Sequence, residues 1–221
     1  MHTHSTYSKD SLISPNELIL WGKKKGLDGL LICDHHTLKA YHLIKKKAEE
    51  AGFILIPGME IETHIGEVIG AFISEEIDTE DDNFFVIVKK IREQGGIVIV
   101  PHPFDFLRNN HLQMDLLSDE IIQKYIDGIE ILNSRIILKN CIKKARNFNQ
   151  QHQLFETGGS DAHTPKEIGN GYTYIRDLDD LSLETIKNSL LKKKSISMGS
   201  QSNPLVHAIT VINKLKKGLY F

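Results

Sequence analysis

The sequence has few cysteines, no long apolar run and no excess of charge of one sign. Its two cysteines, Cys33 and Cys141, lie in hydrophobic surroundings without the spacing of a metal site, so we expect buried free thiols in a reducing cytoplasm. No apolar run approaches the roughly 18 residues of a membrane span, and no apolar leader opens the chain, so we expect no membrane association. Lys and Arg total 27 against 29 Asp and Glu, which argues against nucleic-acid binding through overall charge.

Short apolar runs alternate with helical patterns along the 221 residues. Ser14-Pro15-Asn16-Glu17 has the form of a capping box with proline at the first helical position. Apolar strands separated by helices predict a parallel sheet covered by helices. About seven such units predict an α/β fold, a distorted (β/α)7 TIM-like barrel. We expect this barrel to span residues 1–200 and a C-terminal helical tail, residues 201–221, to pack on it.

The patterns predict the individual elements as follows. Strands are expected over 29–33, 53–56, 67–73, 96–100, 128–132, 154–156 and 196–198. Helices are expected from the Ser14 cap to about residue 25 and over 38–51, 84–94, 117–125, 137–149 and 181–193.

Polar side chains recur directly after the apolar runs. In a barrel of parallel strands, such positions open on the same C-terminal face, so side chains distant in sequence would converge. Burying imidazoles and carboxylates without partners is costly, and a divalent metal would satisfy many of them at once. The positions are His2-Thr3-His4, Asp34-His35-His36, Glu60, His102, Glu130 and Asp161-Ala162-His163.

Each of these signals is weak alone and has a structural alternative. His2 and His4 point to the same side of a strand, as two ligands would, but a surface pair has the same spacing. Asp34 could cap the following helix, Glu60 could pair with a lysine, and His102 could be a hydrogen-bonded structural histidine. Their combination favours a metal site, because so many independent coincidences are improbable.

The chemical types in this set indicate more than one ion. Carboxylates can bridge two ions while each histidine holds one, so we expect two or three divalent ions, with Zn, Mn or Fe suited to such ligands. The chemistry expected of such a site is hydrolysis by a metal-bridging hydroxide.

Four signatures, in this order, resemble the PHP family, named for polymerase and histidinol phosphatase domains. They are His-Thr-His-Ser at 2–5, Cys-Asp-His-His at 33–36, Pro-His-Pro at 101–103 and Gly-Gly-Ser-Asp-Ala-His at 158–163. The resemblance extends from His2 to about Gly171. It implies a distorted (β/α)7 barrel with two or three metal ions that cleaves phosphate esters.

The resemblance also implies a set of metal ligands. His2, His4, Glu60 and Asp161 would hold one ion, and Glu60 would bridge to a second ion bound by His102. A third ion would be held by Asp10, His35 and His163.

Three positions depart from the family pattern. Asp10 is offset by one residue from the usual Ser-Asp-Gly aspartate. Where relatives place a histidine for the second ion, Glu67 is the candidate ligand here and His64 its competitor. His2 directly follows Met1, so either the first strand is short or the true start lies upstream. Glu130 and Asn133 match a family strand whose acid would support the ligands from behind.

The leading functional expectation is a metal-dependent phosphoesterase acting on a small phosphomonoester or a nucleotide. Arg135 and Arg108 could orient the phosphate, although both could equally be surface arginines without this role. His35 or His163 could protonate the leaving oxygen.

An alternative is an exonuclease or oligonucleotide-trimming enzyme. The loop residues Phe104, Phe106, Arg108 and His111 would then line its groove, although a buried Phe cluster is the more common arrangement. A non-catalytic scaffold is the third possibility. The expected partner is a small phosphorylated substrate or a short nucleic acid, and the expected location is the cytoplasm.

Overall fold

The computed structural model describes residues 1–108, 110–206 and 210. The strands are β1 Gly29–His35, β2 Ile54–Thr63, β3 Gly66–Ala71, β4 Ile97–Val100, β5 Gly128–Asn133, β6 Phe155–Gly159, β7 Gly171–Ile175 and β8 Ser195–Gly199. The helices are α1 Pro15–Lys24, α2 Lys39–Glu50, α3 Phe84–Glu93, α4 Asp119–Tyr125, α5 Lys139–His152 and α6 Leu183–Leu191.

The predicted helix starts follow from local hydrogen bonding. At the start of α1, the Ser14 backbone N–H and hydroxyl both donate to Glu17 Oε2, at 2.9 and 2.7 Å. The capping box expected from the sequence is therefore confirmed, and the Glu17 carboxylate satisfies the Ser14 backbone N–H at the start of the helix.

The main sheet has six strands in the order β1-β2-β3-β4-β5-β6, and β7 and β8 form a second, two-stranded sheet. The expectation of a wholly parallel sheet is wrong at β3, which runs antiparallel to both β2 and β4. A tight turn between Thr63 and Gly66 reverses the chain, with Gly66 at φ 120°. The reversal places the start of β3 at the same end of the sheet as the ends of the parallel strands.

The sheet is curled, and a short N-terminal segment lies between its two outer strands. Thr3 forms a parallel bridge to Ile32 in β1 and another to Ala162, which follows β6. The fold is thus α/β with a curled half-barrel sheet, and the count of seven β/α units stays a prediction.

Apolar side chains from both faces of the sheet form the core. The largest cluster joins β2, β3 and β4 to α3 and includes Met59, Val68, Phe84 and Val98, all fully buried. Cys33 and Cys141 are buried free thiols, as expected. No helix among residues 1–108, 110–206 and 210 has the length and apolar character needed to cross a membrane. The expected tail helix falls largely outside the described residues.

Candidate metal centre

The predicted ligands meet at the end of the sheet where the parallel strands terminate. His35 ends β1, Glu60 lies in β2, and His102 follows β4. Glu67 reaches the same end because β3 runs the other way and Glu67 is its second residue. The remaining ligand-type residues come from the N-terminal segment and from the loop after β6: His2, His4, Asp10, Asp161 and His163.

Glu60 lies at the centre of this cluster, with its two carboxylate oxygens facing different histidines. Oε1 is 3.3 Å from His2 Nε2 and 3.0 Å from His102 Nε2. Oε2 is 3.2 Å from His4 Nε2 and 3.6 Å from His35 Nδ1. This is the arrangement expected of a carboxylate that bridges two cations.

The two carboxylate oxygens of Asp161 also face different groups, one facing protein donors and the other facing the histidines. Its Oδ2 accepts from Arg108 Nη2 at 2.5 Å and from Asn133 Nδ2 at 3.1 Å. Its Oδ1 is buried and receives no hydrogen bond from the described residues, although it lies 3.5 Å from His4 Nε2. A buried carboxylate oxygen without a donor is costly, so Oδ1 is suited to coordinate a cation.

Three histidines direct their Nδ1 atoms at protein oxygens. We assign the Nδ1 protons from this network: His2 donates to Glu130 Oε1 at 3.2 Å, His4 to Ser8 Oγ at 3.1 Å, and His163 to the Asp161 carbonyl at 2.8 Å. Once a cation displaces the proton on Nε2, each Nε2 would offer its lone pair, the usual arrangement of metal-ligating histidines. The Nε2 atoms of His2 and His4 are only 3.1 Å apart, as two ligands of one ion would be.

Two buried carboxylates hold these histidines and their loops without joining the cluster as central ligands. Glu130 accepts from His2 and, through Oε2, from the His102 backbone N–H and Asn133 Nδ2, both at 2.8 Å. Asp34 accepts from the Ser5 backbone N–H and hydroxyl, both at 2.6 Å, and from the Ser8 hydroxyl at 2.7 Å. The sequence pattern placed Asp34 near the site, but the supporting role of Ser8 was missed because a lone serine carries no distinctive signal.

The residues expected at the second and third ions are also close together. Asp10 Oδ2 is 3.2 Å from His163 Nε2, and Asp10 Oδ1 is 3.9 Å from His35 Nε2. Glu67 Oε2 is 3.4 Å from His102 Nε2. Its competitor His64 is exposed in the β2–β3 turn and accepts from the Phe84 N–H, so it caps α3. Geometry therefore favours Glu67.

The electrostatics of the cluster favour added positive charge. Burial disfavours protonation of His4, but its close contacts with the Asp161 and Glu60 carboxylates outweigh burial and raise its pKa to about 10. Burial raises the pKa of Glu67 well above its ordinary value, and the neighbouring Glu60 charge raises it further. Burial, with the positive His4 nearby, lowers the pKa of His163 to about 4, so this imidazole is neutral at pH 7 and able to coordinate.

Other buried groups respond to the same charges. Burial opposes protonation of His2, but the surrounding Glu60, Glu130 and Asp161 raise its pKa well above its ordinary value. Burial opposes ionisation of Asp161, but Arg108 and His2 hold its pKa well below its ordinary value. The charges of the carboxylates and imidazoles in the cluster therefore depend on one another, and a bound cation would favour the ionised form of Glu67 as well.

The backbone is strained at several of these positions. His2, His102 and Asp161 have φ values of 69°, 30° and 49°, in the left-handed region that such residues seldom adopt. Strain of this kind concentrates at functional sites. Gly159 is required for a different reason: a Cβ there would overlap Glu130 Oε1 and crowd His2 Cβ.

The two arginines expected to bind phosphate differ in position. Arg108 lies in the cluster, where it contacts Asp161 and also Asp105 Oδ2, 3.2 Å from its Nε. Arg135 is buried, with Nε 3.5 Å from Glu167 Oε1 and Nη2 donating to Thr210 Oγ1 at 2.8 Å. Its role toward a phosphate stays a prediction.

The aromatic loop after β4 has one packed and one exposed ring. Phe104 packs edge-to-face on Phe148, with ring centroids 5.6 Å apart, whereas Phe106 is 56% exposed. His111 Nδ1 donates to the Arg108 carbonyl at 2.8 Å and so braces the loop.

The residues present fit divalent cations. Four overlapping groups of three residues could each hold an ion, because within each group the ligand atoms lie within 4.8 Å of one another. The groups are His4/His35/His163, His2/His4/Glu60, His2/His102/Asp161 and His35/Glu60/Glu67. Imidazole nitrogens mixed with carboxylate oxygens suit transition metals such as Zn, Mn and Fe. Which element binds, and how many ions, stay predictions.

Comparison with known proteins gives a consistent picture. The PHP domain family model matches residues 1–163, and the PHP-associated family model matches residues 142–195. Uncharacterized protein MJ0417 of Methanocaldococcus jannaschii is 33% identical over 211 residues, 93% of this chain and 84% of that protein. A 5'-3' exoribonuclease of Haemophilus influenzae is 39% identical over 64 residues, 29% of this chain and 23% of that protein.

A solved structure shares the fold. It is a two-domain protein from Bacteroides vulgatus that contains a predicted PHP-like metal-dependent phosphoesterase. It superimposes with a TM-score of 0.76 at 20% identity over 90% of this chain. The chain spans 63% of that protein, less than two thirds of its length.

Proposed function

Because this chain belongs to the PHP domain family, we propose that it is a metal-dependent phosphoesterase that hydrolyses phosphate esters of a small phosphorylated molecule or a nucleotide. The observation that carries the proposal is the geometry of Glu60, whose two oxygens face two pairs of histidines within 3.6 Å. Such a bridging carboxylate is suited to hold two cations side by side.

When bound, divalent ions would supply Lewis-acid chemistry: they activate water as a nucleophile near neutral pH and neutralise charge on the phosphate oxygens. The chain's own residues would position the substrate. Arg108 is the candidate phosphate ligand, because its guanidinium lies beside Asp161 and is held from behind by Asp105. Its fork of donors matches phosphate oxygens in geometry.

The electrostatics of His35 and His163 do not favour proton transfer by either imidazole. Burial is the main cause that lowers the pKa of both imidazoles. Both are therefore neutral at pH 7, which favours coordination of a cation over donation of a proton to the leaving oxygen.

A second candidate function is trimming of oligonucleotides. Two observations favour it: the partial similarity to a 5'-3' exoribonuclease and the exposed ring of Phe106 in the loop that also carries Arg108. An exposed aromatic ring next to a phosphate site can stack on a nucleobase.

The test is hydrolysis of p-nitrophenyl phosphate and bis-p-nitrophenyl phosphate by protein loaded with Mn²⁺ or Zn²⁺. We expect turnover that EDTA abolishes and that added metal restores. The variant Asp161→Ala should lose roughly a thousandfold in kcat/KM, because a lost metal ligand removes several kcal/mol of transition-state stabilisation. Asp119→Ala is the matched control, since the Asp119 side chain is 91% exposed and outside the cluster.

Two outcomes would contradict the proposal. Near-normal turnover in the Asp161→Ala variant would reject the site. Protein that retains no metal after reconstitution and hydrolyses neither ester would favour the non-catalytic scaffold.

A further inference from the structure

The helix α5 carries an unusual charge distribution for a chain with a net charge of −2. Between Glu130 and Glu156 the sequence contains no acidic residue, whereas its basic residues there are Arg135, Lys139, Lys143, Lys144 and Arg146. Several lysines of other helices have acidic neighbours one turn away. In α3, for example, Lys89 pairs with Glu93 one turn later, at 3.7 Å. The basic residues of α5 have no such partner on their own helix.

The positions of these charges place them together on one surface. Lys139, Lys143 and Arg146 follow i, i+4, i+7 spacing, so they share the face of α5 opposite the buried Cys141 and Ala145. All three basic residues are exposed. With a rise of about 1.5 Å per residue, they extend over about 10 Å of helix.

This surface begins beside the metal centre. The strand β5 that precedes α5 ends at Asn133, which donates to Asp161 in the centre. Lys139 is the first residue of α5, so the basic face runs outward from the mouth of the sheet. The opposite end of α5 approaches an acidic residue, because Asp119 lies 3.8 Å from His152. The basic surface is therefore confined to the half of α5 nearest the mouth.

An exposed aromatic ring lies beside a fourth basic residue of α5, Lys144, which is about 100° around the helix from Lys143 and therefore at the edge of this face, next to the loop that carries Arg108. Lys144 Nζ lies 5.9 Å from the centre of the Phe106 ring. The neighbouring Leu107 and Ile137 are 58% and 47% exposed. A row of cations next to an exposed ring matches a chain that alternates phosphates with flat bases.

We propose that the α5 face, defined as Lys139, Lys143 and Arg146 together with the adjoining Lys144 and Phe106 at its edge, binds single-stranded nucleic acid and directs its end into the metal centre. The proposal rests on the proposed function for the reaction at that centre, but binding along α5 is separable from catalysis. The cations contact successive phosphates, and Phe106 stacks on a base near the mouth.

The test is the affinity of fluorescently labelled oligouridylates of increasing length, measured by anisotropy in EDTA so that no hydrolysis occurs. We expect a 12-mer to bind much more tightly than a trimer, because only the longer chain can occupy the mouth of the metal centre, Phe106 and the α5 cations at the same time. The triple variant Lys139→Gln, Lys143→Gln, Arg146→Gln should bind about 100-fold more weakly at 0.1 M salt, with a salt slope lower by about 2. Phe106→Ala should weaken binding about tenfold.

The matched control neutralises three exposed lysines on α2: Lys45→Gln, Lys46→Gln, Lys47→Gln. It removes the same net charge but should leave oligouridylate affinity within about twofold of the original protein. Equal losses in the two triple variants, equal binding of trimer and 12-mer, or equally effective competition by polyglutamate would each overturn the assignment.

Hydrolysis of p-nitrophenyl phosphate distinguishes failure of this inference from failure of the proposed function. Turnover without length-dependent binding overturns the α5 face and leaves the phosphoesterase intact. If binding depends on oligonucleotide length and is lost in the α5 triple variant, but no ester is hydrolysed, the α5 face is supported and the proposed phosphoesterase activity is contradicted.

Discussion

Replacing Glu130 by glutamine tests whether the hydrogen bond from His2 to Glu130 decides which nitrogen of the His2 ring carries the proton. Glu130 accepts three hydrogen bonds, from His2 Nδ1 at Oε1 and from the His102 N–H and Asn133 Nδ2 at Oε2. In Glu130→Gln the amide oxygen can take the place of Oε2 and accept from the His102 N–H and Asn133 Nδ2. The new NH₂ group then faces His2 Nδ1 and must donate to it, which moves the imidazole proton to Nε2.

The expected cost follows from this geometry. His2 Nε2 is the atom that points at His4 Nε2 and Glu60 Oε1, at 3.1 and 3.3 Å. Once protonated, it cannot coordinate. Loss of a supporting hydrogen bond of this kind costs about 10- to 100-fold in metal affinity, or about 1.4 to 2.7 kcal/mol. The substitution is isosteric, so the free energy of unfolding of the metal-free protein should change by less than the metal-binding free energy.

The assay is competitive titration of Mn²⁺ and Zn²⁺ by calorimetry, with thermal unfolding in EDTA as the check on folding. Glu156→Gln is the matched control, because Glu156 lies in the neighbouring strand β6 and its side chain accepts from the Ser197 backbone N–H, outside the cluster. ¹⁵N NMR of the histidine rings in EDTA, recorded at a pH above the raised pKa of His2 so that the ring is neutral, should show the His2 proton moved from Nδ1 to Nε2. Metal affinity within twofold of the original protein, with the proton still on Nδ1, would refute the reasoning.

Two further predictions concern the surroundings of the same centre. Gly159→Ala should lower the free energy of unfolding by about 1–3 kcal/mol and weaken metal binding, because the added methyl overlaps Glu130; unchanged denaturant midpoint and metal affinity would contradict this. Asp105→Asn should raise the KM for p-nitrophenyl phosphate several-fold with metal affinity unchanged, because Arg108 loses a charge-assisted hydrogen bond; a fall in kcat alone in steady-state kinetics would argue against a positioning role.

Most elements of the fold could be predicted from apolar periodicity, whereas strand direction could not. The expected strand over 67–73 appears as Gly66–Ala71, but an apolar run is the same in both directions. The strand expected over 53–56 extends to Thr63, because the sheet accommodates Pro57 within β2. Pro57 pairs with Ile32 of β1, and its carbonyl accepts from the Phe72 N–H. Strand β7, Gly171–Ile175, was missed because its burial comes from packing on β6 rather than from a continuous apolar run.

The site was predictable where a residue type and a strand end coincide. Glu60, His102 and Asp161 follow or end apolar runs, and the structure brings them together. The arginines were not separable from sequence, because the paths of their loops decide that Arg108 reaches Asp161 while Arg135 pairs with Glu167.

The two bridges formed by Thr3 have a consequence for how the protein is made. His2 and His4 reach the cluster only when their segment lies between β1 and Ala162. In a nascent chain that has left the ribosome only as far as β5, the segment that carries His2 and His4 can pair with β1 but not yet with Ala162. The set of ligands is complete only when residues 161–163 have folded beside this N-terminal segment. A cation captured earlier by the histidine pair would be held by an incomplete set of ligands.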